Sequence, residues 1–376
     1  MPHQKPRLPN IAIVHDWLTV SGGAELVVEE LRRLFPLAPI YTSVYDAGKV
    51  PAFKNADVRT TWMQEKLPKS LRYRHTLWPT VRARAFRDLD LSDYDIIISS
   101  SSAEAKAIPK TRKGQVHIAY IHTPIRYYYS HYEEFKKEFT FGIFTPFIRP
   151  FIPMLVKKMR KKDLASIAGI DTLIANSTVT QQRIKQYYNR PSTVIHPPVN
   201  VARFTPPPTG DRAGYIIWGR HVPYKRFDLA IETANALKLP LTIVGSGQDT
   251  DRLKKLAGPT VTFTGRVSNA ELVRLAQSAK AFLFPGEEDF GIAAVEALAA
   301  GTPVIAYAKG GALDIVQDGE SGVLFEEQTV ASLSAAIKRF ETMQFLPATL
   351  HRKAKRFDRN LFATKIQKVV SDIAQS

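Results

Sequence analysis

Short runs of apolar residues alternate with longer amphipathic stretches along the chain. Stretches between the runs, the first over residues 24–34, have the spacing of helices. Regular alternation of strands and helices predicts an α/β architecture of parallel sheets flanked by helices. In the first half, the apolar runs with the length of buried strands are residues 11–14, 94–100, 116–121 and 172–175.

Residues 191–208 interrupt this alternation. They are rich in proline and contain Pro197-Pro198 and Pro206-Pro207-Pro208. Because proline lacks a backbone N–H and has a fixed φ, this stretch cannot continue a helix or a central strand. We therefore predict that it is a linker between two domains.

The strand pattern begins again after the linker, and the final segment, residues 350–375, is helical and basic. We expect two Rossmann-like domains facing across a cleft, over residues 1–205 and 206–355. We also expect a C-terminal helix over residues 356–376 to pack back towards the first domain. The apolar runs of the second half are residues 215–218, 241–244, 261–263, 281–284 and 304–306.

Composition is that of a soluble globular protein, with 376 residues, 44% of them apolar and 23% charged. This length suffices for two domains with separate cores. The chain has no cysteine, which excludes disulfides, thiolate metal ligands and cysteine nucleophiles. Residues 1–9 are polar and rich in proline, without the apolar region of a signal peptide, so we expect a cytoplasmic protein.

The chain has an excess of basic residues, with 52 Lys and Arg against 35 Asp and Glu and a formal charge of +17. Such an excess favours polyanions: nucleic acid, an anionic membrane or a phosphorylated substrate. Two basic groups lie in the first half. They are Arg72, Arg74, Arg82, Arg84 and Arg87, and then Lys157, Lys158, Arg160, Lys161 and Lys162.

The second basic group follows an apolar segment, residues 141–156, that is too short and too interrupted by proline and arginine to span a bilayer. Apolar surface beside a basic cluster is typical of contact with an anionic membrane surface, so we expect peripheral association with the inner face of the plasma membrane. The alternative is a buried segment followed by a solvated basic helix. A nucleic-acid partner is not expected, because Tyr127-Tyr128-Tyr129 is the one candidate stacking platform near basic residues.

An acidic loop precedes a helix of small residues in the second half. The loop contains Glu288, Asp289, Phe290 and Gly291, and Glu296 lies early in the helix that follows. A helix N-terminus attracts anions because its first N–H groups are unpaired and its dipole is positive there. Ionised carboxylates accept hydrogen bonds from hydroxyls. A ligand that carries phosphate next to hydroxyl groups fits both features, and a sugar nucleotide is such a ligand.

Two cations, Arg220 and Lys225, lie five residues apart in a loop that follows a predicted strand and Gly219. Arginine can bind phosphate oxygens with two parallel hydrogen bonds, and lysine adds a point charge. Such groups stabilise a leaving nucleoside diphosphate more in the transition state than in the ground state. Gly22-Gly23, before the first helix, forms a second anion-binding loop that lacks the spacing of a dinucleotide fingerprint or a P-loop.

His122 ends a predicted strand and begins a shaped loop, where it could act as an acid, a base or a hydrogen-bond donor. Two Asp-x-Asp pairs, Asp88 with Asp90 and Asp93 with Asp95, resemble metal-binding pairs. The second pair directly precedes a strand, where aspartates more often form turns. No His and acidic residues have metal-ligand spacing, so we predict that the protein needs no metal.

Together these motifs resemble the retaining glycosyltransferases of family 4, which have the GT-B fold. The spacing Glu288-x7-Glu296, with Phe290-Gly291 inside it and Ala-Leu-Ala-Ala-Gly-Thr-Pro after it, is similar to the family signature. Arg220 and Lys225 match its phosphate-binding pair. The first half resembles bacterial mannosyltransferases of surface polysaccharide (O-antigen or exopolysaccharide) assembly in residues 120–127, 175–177 and 194–199.

The resemblance implies a role for each matching residue. Glu296 would bind the ribose hydroxyls, Glu288 would lie near the transferred sugar, and Arg220 and Lys225 would neutralise the diphosphate. His122 would approach the sugar from the first domain. The other donor-binding residues that it implies are Gly22, Gly23, Gly219, Arg266, Asp289, Phe290, Gly291 and Ile292.

The resemblance also implies the substrates: a nucleotide sugar, expected to be GDP-mannose, and a glycan or polyprenyl-diphosphate lipid as acceptor, with no cofactor. Three alternatives remain open. They are a family 4 transferase using a UDP- or dTDP-sugar, a GT-B phosphorylase or epimerase, and a non-catalytic protein that binds sugar nucleotides or nucleic acid.

Overall fold

The structure is a computed structural model that describes residues 9–72, 79–130, 132, 133, 136, 149–204 and 210–374. The chain divides into two units. Unit 1 comprises Met1–His196 and Ala363–Ser376, and unit 2 comprises Pro197–Phe362. The sequence placed these divisions at 205/206 and 355/356. The triple proline of the predicted linker lies outside the described residues.

Unit 1 is built on a parallel sheet of seven strands in the order β3-β2-β1-β4-β5-β6-β7. Its strands are β1 Ile11–His15, β2 Ile40–Thr42, β3 Val58–Thr60, β4 Ile96–Ser101, β5 Val116–Ile121, β6 Thr172–Ala175 and β7 Thr193–Val194. Its helices are α1 Gly23–Leu34, α2 Met63–Lys66, α3 Lys69–Arg72, α4 Pro79–Arg87, α5 Ile152–Ala168 and α6 Thr178–Tyr188.

The centre of this sheet is buried, as expected for a parallel sheet with helices on both faces, and every residue of β4 is buried. Strand β4 pairs with β1 on one side and β5 on the other, and Ile98 lies opposite Ile13 and Ile118. The C-terminal helix α14, Arg359–Ala374, contributes Ile366 and Val370 to the core of this unit. Both are buried beside Ile98, so the end of the chain belongs to the packing of unit 1.

Unit 2 is built on a parallel sheet of six strands in the order β10-β9-β8-β11-β12-β13. The strands are β8 Tyr215–Trp218, β9 Leu241–Val244, β10 Val261–Gly265, β11 Ala281–Phe284, β12 Val304–Tyr307 and β13 Gly322–Phe325. The helices are α7 Phe227–Leu237, α8 Thr250–Leu256, α9 Asn269–Ser278, α10 Ile292–Ala299, α11 Ala312–Ile315, α12 Val330–Glu341 and α13 Pro347–Ala354.

Aromatic and small residues share the core of unit 2. The Trp218 and Phe282 rings are 4.0 Å apart, and the Phe282 and Phe284 rings are stacked at 6.0 Å. Helix α10 is rich in alanine, and Ala294 and Ala297 are fully buried. Because small side chains allow close approach, α10 packs tightly against α13 and keeps its first turn beside the sheet edge.

In each sheet the first three strands in sequence are added in one direction, and the chain then crosses back so that the next strand pairs on the other side of the first. This reversal lies between β1 and β4 in unit 1 and between β8 and β11 in unit 2. Open α/β sheets bind ligands at the carboxyl ends of the strands beside such a reversal. The predicted fold class, two Rossmann-like α/β domains, is confirmed; the cleft between them stays a prediction.

The predicted helix over residues 350–375 is wrong in one respect. The structure has α13 and α14 there, separated by a 3-10 turn, Lys355–Phe357, and by the extended Asp358. The backbone N–H of Val199 donates to the Phe357 carbonyl at 3.1 Å, and the N–H of Arg359 donates to the Val199 carbonyl at 2.9 Å. This long-range pairing satisfies backbone groups that a continuous helix would have used, so the helix is interrupted.

Candidate functional site

The acidic loop of unit 2 connects β11 to α10 at the sheet reversal. Gly291 has φ +106°, and a Cβ at this position would lie 2.5 Å from the Phe284 ring. Only glycine combines this backbone with this contact. The loop therefore turns sharply into α10, whose first N–H groups have no partner within the helix.

Lys225 and Glu288 form an ion pair across the reversal. Lys225 Nζ lies 2.5 Å from Glu288 Oε1, and the side chains are 15% and 17% exposed. Burial lowers the pKa of Lys225, but the Glu288 carboxylate raises it more, so the pKa lies above its ordinary value. A Cβ on Gly286 would lie 2.7 Å from Lys225 Cα, so the loops after β8 and β11 are in direct contact.

Arg220 is exposed and follows β8 directly after Gly219. Its guanidinium has no hydrogen-bond partner among the residues that the structure describes. Its charge acts to lower the pKa of Lys225, which lies five residues further along the same loop. Lys225 Nζ is also 3.5 Å from the position of a Cβ on Gly219. Arg220 is thus available to bind an anion, and it lies beside Lys225, which is already paired with Glu288.

Glu296, in the second turn of α10, is hydrogen-bonded to Trp218 at the end of β8. Trp218 Nε1 donates to Glu296 Oε2 at 3.3 Å, and Arg203 Nη2 donates to Glu296 Oε1 at 2.6 Å. Burial raises the pKa of Glu296, and the Arg203 charge and the Trp218 hydrogen bond oppose that rise. The carboxylate therefore lies on the same edge of the sheet as Arg220 and Lys225.

The remaining predicted residues of unit 2 surround this edge. Arg266 follows β10 and is exposed, and its Nε donates to Ser246 Oγ at 3.2 Å. Asp289 and Ile292 are half-buried, whereas Phe290 is 3% exposed. The loop after β12 supports the acidic loop through the Gly311 N–H, which donates to the Glu288 carbonyl at 2.8 Å.

In unit 1, His122 directly follows β5 and is 8% exposed. Its Nε2 and the Ser100 hydroxyl are 2.8 Å apart, and its ring contacts Tyr120 edge-on at 5.2 Å. The Thr180 hydroxyl donates to the His122 carbonyl at 3.2 Å. The histidine is therefore held firmly at the carboxyl end of the sheet.

The diglycine loop lies at the reversal of unit 1. Gly22 precedes α1, Gly23 begins it, and both are exposed. Beneath them, His15 Nε2 lies 3.5 Å from Glu25 Oε1, and His15 Nδ1 is 2.9 Å from the Ser100 carbonyl. Burial lowers the pKa of His15, but Glu25 and other partners raise it to a value above its ordinary one.

Asp16 fixes the neighbouring loop after β4. Its carboxylate accepts the backbone N–H groups of Ser102, Ala103 and Ala105 at 2.7–2.9 Å. Burial acts to raise the pKa of Asp16, but His15 and these hydrogen bonds lower it below its ordinary value. His15 and Asp16 directly follow the apolar run 11–14, and the sequence analysis assigned neither of them a role.

The three tyrosines that could have formed a stacking platform are packed into unit 1. Tyr128 is 4% exposed, the Tyr127 hydroxyl donates to Glu104 at 3.1 Å, and that of Tyr129 donates to Asp163 at 3.0 Å. The rings also pack edge-on against one another. They are therefore unsuited to stacking against exposed bases.

The two predicted basic groups differ in exposure. In the first, Arg82 is 3% exposed and lies 2.5 Å from Glu104, so it belongs to a buried ion pair rather than a basic surface. Arg84 and Arg87 are exposed, and Arg74 lies outside the described residues. In the second group the four lysines are exposed and Arg160 is half-buried.

The Asp-x-Asp pairs serve local structure. Asp88 accepts the Trp62 indole N–H at 3.1 Å, and Asp90 accepts the Ser92 backbone N–H at 3.0 Å. Asp95 accepts the Asn10 backbone N–H at 2.8 Å. Within the described ranges, no group of three or more His, Cys, Asp or Glu side chains is placed to hold a metal ion.

The structure thus brings the predicted residues of unit 2 to one sheet edge and places those of unit 1 at the corresponding edge of their own sheet. Sequence reasoning missed Arg203 and Trp218. Trp218 ends a predicted strand beside Gly219, which was a usable signal. Arg203 lies 93 residues from Glu296, and no local pattern indicates their contact.

Two family models match the chain, one in each half. Glycosyltransferase Family 4 matches residues 21–203, and Glycosyl transferases group 1 matches residues 201–359. The junction between the two matches lies at the turn that carries Arg203. Together the matches include the residues that form the candidate site in both units.

Curated relatives include D-inositol 3-phosphate glycosyltransferases. The one from Nocardioides sp. is 30% identical over 212 residues, with 46% of this chain and 46% of the relative covered. The one from Mycolicibacterium gilvum is 36% identical over 182 residues, with 41% of this chain and 40% of the relative covered. The chain spans about half the length of the curated relatives it matches.

Solved structures match over nearly the full chain. HepE of Anabaena, in complex with UDP and glucose, has a TM-score of 0.70 at 17% identity, with 97% of this chain and 100% of that chain covered. Sucrose-phosphate synthase of Thermosynechococcus elongatus has a TM-score of 0.71 at 17% identity, covering 98% and 100%. At this identity the likeness shows the fold alone. The two family matches, which together span residues 21–359, support a family 4 glycosyltransferase of GT-B fold.

Proposed function

We propose that this protein is a retaining glycosyltransferase that moves mannose from GDP-mannose to a glycan or polyprenyl-diphosphate-linked acceptor in bacterial cell-surface polysaccharide synthesis. The observation that carries the proposal is the sheet edge of unit 2, where the cations Arg220 and Lys225 and the carboxylates Glu288 and Glu296 meet at the reversal. This arrangement suits a ligand with a diphosphate at one end and hydroxyls at the other.

The two cations would act on the leaving diphosphate. When the bond between sugar and phosphate breaks, negative charge grows on the diphosphate oxygens. Arg220 is free to bind them, and Lys225, held by Glu288, adds a fixed charge. Groups that are already in place as charge develops lower the barrier without reorganisation, so they stabilise the transition state more than the ground state.

Retention of configuration is proposed to proceed by attack of the acceptor on the face that the diphosphate leaves. The leaving phosphate then takes the acceptor's proton, and no protein nucleophile is needed. Glu288 would lie near the transferred sugar, with the N–H groups of Phe290 and Gly291 towards its hydroxyls. His122, Gly22 and Gly23 are proposed to act from unit 1, as the family resemblance implies.

There are two candidate donor substrates. The motifs at residues 120–127, 175–177 and 194–199 favour GDP-mannose. The second candidate is a UDP-sugar, favoured because HepE, of the same fold, was solved in complex with UDP-glucose. Arg266, beside Ser246 at the carboxyl end of β10, is the residue proposed to lie nearest the base.

We propose a membrane surface as the second partner, with the protein at the inner face of the plasma membrane. Phe151, Met154 and Leu155 are 62%, 68% and 47% exposed, and by helical spacing Met154 and Leu155 share a side of α5 with Lys158 and Lys162. Exposed apolar residues among cations fit an anionic lipid surface. Residues 141–148, which the sequence included in this segment, lie outside the described ranges.

Donor identity is tested by thermal shift with GDP, UDP, dTDP and ADP, followed by transfer assays with the sugar nucleotide of the base that binds. We expect GDP to stabilise the protein most, and GDP-mannose to yield a product with the anomeric configuration of the donor. Stabilisation by UDP alone would replace GDP-mannose by the second candidate. Inversion of configuration, or no transfer from any donor, would overturn the proposed reaction.

Membrane contact is tested by sedimentation with vesicles that contain anionic phosphatidylglycerol and with zwitterionic vesicles. We expect binding to the anionic vesicles that weakens as salt screens the charges, and loss of binding in Met154→Asp/Leu155→Asp. The matched control is Leu37→Asp, which changes a leucine that is 97% exposed on another part of unit 1. Equal binding by all three proteins would exclude α5 as the contact surface.

No helix within the described residues combines the length and the apolar character that crossing a bilayer requires.

A further inference from the structure

Glu296 is held by a residue that no motif contains. We propose that Arg203 is a positioning residue, which holds the Glu296 carboxylate so that it accepts two hydroxyl groups of the donor's ribose. This inference rests on the proposed function, because it assigns Glu296 to the nucleotide end of the donor. Arg203 itself acts through Glu296.

The contact geometry leaves part of the carboxylate available. Arg203 Nη2 donates to Oε1 at 2.6 Å, and the Trp218 indole donates to Oε2 at 3.3 Å. A carboxylate has about four acceptor positions on its two oxygens. Two are occupied, one on each oxygen, and two remain for neighbouring hydroxyls. The Glu296 side chain is 15% exposed, so those positions are within reach of a ligand.

Arg203 is rigidly placed. It ends the 3-10 turn Val201–Arg203; Val201, which begins the turn, and Phe204, which follows it, are buried at 2% and 0% exposure. The guanidinium lies 4.5 Å from the centre of the Phe204 ring, and Nη1 donates to Asn269 Oδ1 at 3.2 Å. A side chain fixed by three contacts loses little further freedom when it orients a partner.

The charge of Arg203 also affects the pKa of Glu296. Burial raises the pKa of Glu296, and the described groups that oppose this are the Arg203 charge and the Trp218 N–H. Without Arg203 the pKa would rise further, and more of the carboxyl would be protonated at a given pH. A protonated carboxyl has lost acceptor capacity, so it would bind the two hydroxyls less well.

A purely structural ion pair would behave differently. Removing Arg203 would then lower stability, with an effect on nucleotide affinity that does not depend on the protonation of Glu296. The pH dependence of the affinity loss, and its dependence on Glu296 itself, therefore separate the positioning role from a structural one.

The experiment measures binding of GDP and UDP by calorimetry between pH 6 and pH 8.5, using whichever nucleotide the wild-type protein binds more tightly. The variants are Arg203→Met, Arg203→Lys, Glu296→Gln and the double variant Arg203→Met/Glu296→Gln. The control is Arg274→Met, which removes an exposed arginine paired with Glu271 on α9.

We expect Arg203→Met to weaken binding about 10- to 150-fold at pH 6, the range for losing one hydrogen bond from a ribose hydroxyl to the charged Glu296. The loss should shrink as pH rises, because Glu296 ionises again. Arg203→Lys should recover part of the affinity, and Arg203→Met should change little when Glu296 is already Gln. The control should bind like the wild type.

Three results would overturn the inference: unchanged affinity in Arg203→Met, a loss that is the same at every pH, or an equal loss in the Glu296→Gln background. If Arg203→Met does not fold, Arg203→Lys against Glu296→Gln provides the same comparison. If the wild-type protein binds neither nucleotide, the proposed function itself fails, which is a separate outcome.

Discussion

Substitution of Arg220 should change activity without changing the stability of the fold. It is exposed and has no hydrogen-bond partner among the described residues, so the folded chain gains little from its side chain. Exposed substitutions away from special features usually change the free energy of unfolding by less than about 0.5 kcal/mol. We therefore predict that Arg220→Ala leaves the melting temperature unchanged.

The same substitution should impair transfer severely. One hydrogen bond to a charged group is worth about 1.5–3 kcal/mol. If Arg220 makes that bond to the departing diphosphate, its loss lowers kcat/KM about 10- to 150-fold, since about 1.36 kcal/mol corresponds to a factor of ten. Arginine can make two such bonds to phosphate, so the upper end of the range is expected.

The assay is steady-state transfer of labelled sugar, with thermal unfolding measured on the same samples. Arg274→Ala is the matched control, because Arg274 is an arginine of unit 2 whose side chain is 66% exposed and lies on α9. An unchanged kcat/KM in Arg220→Ala would remove this residue from the site. Equal losses of activity in Arg220→Ala and Arg274→Ala would show that net charge, rather than position, matters.

Further predictions concern the buried charges and metal. Lys225→Met should leave Glu288 unpaired and lower the free energy of unfolding by about 1–3 kcal/mol; Lys225→Met/Glu288→Gln should recover most of that stability but no transfer activity, as measured by denaturant unfolding and the transfer assay. Glu25→Gln should lower the melting temperature at pH 6 more than at pH 9, because the stability from a raised His15 pKa is full below its ordinary 6.5 and is lost as pH rises through the folded-state value; equal shifts at both pH values would contradict this. Transfer should persist in EDTA, whereas complete loss restored by manganese would show that a metal is required.

Strand positions and glycine turns were predictable because each is encoded locally. The runs at 215–218, 241–244 and 281–284 agree with β8, β9 and β11, and the helical stretch over residues 24–34 agrees with α1. Parallel strands place their carboxyl ends at one edge, so Arg220 and the acidic loop could be predicted to meet. Arg220 and the acidic loop lie at the same edge of the unit 2 sheet because β8 and β11 are parallel neighbours.

Partners contributed by distant residues were not predictable. Arg203 reaches Glu296 across 93 residues, and Lys225 reaches Glu288 across 63. The break between α13 and α14 depends on Val199, which lies far away in sequence. The burial of Tyr128 likewise depends on packing between separate elements, because the local sequence of three tyrosines suits a surface and a core equally.

The central claim is that the carboxyl edge of the unit 2 sheet binds both ends of a nucleoside diphosphate. A crystal structure of the protein with GDP or UDP tests it most directly. We predict diphosphate oxygens within hydrogen-bond distance of Arg220 and Lys225, and ribose hydroxyls on Glu296. A nucleotide bound elsewhere, or one at this edge with its ribose away from Glu296, would contradict the account.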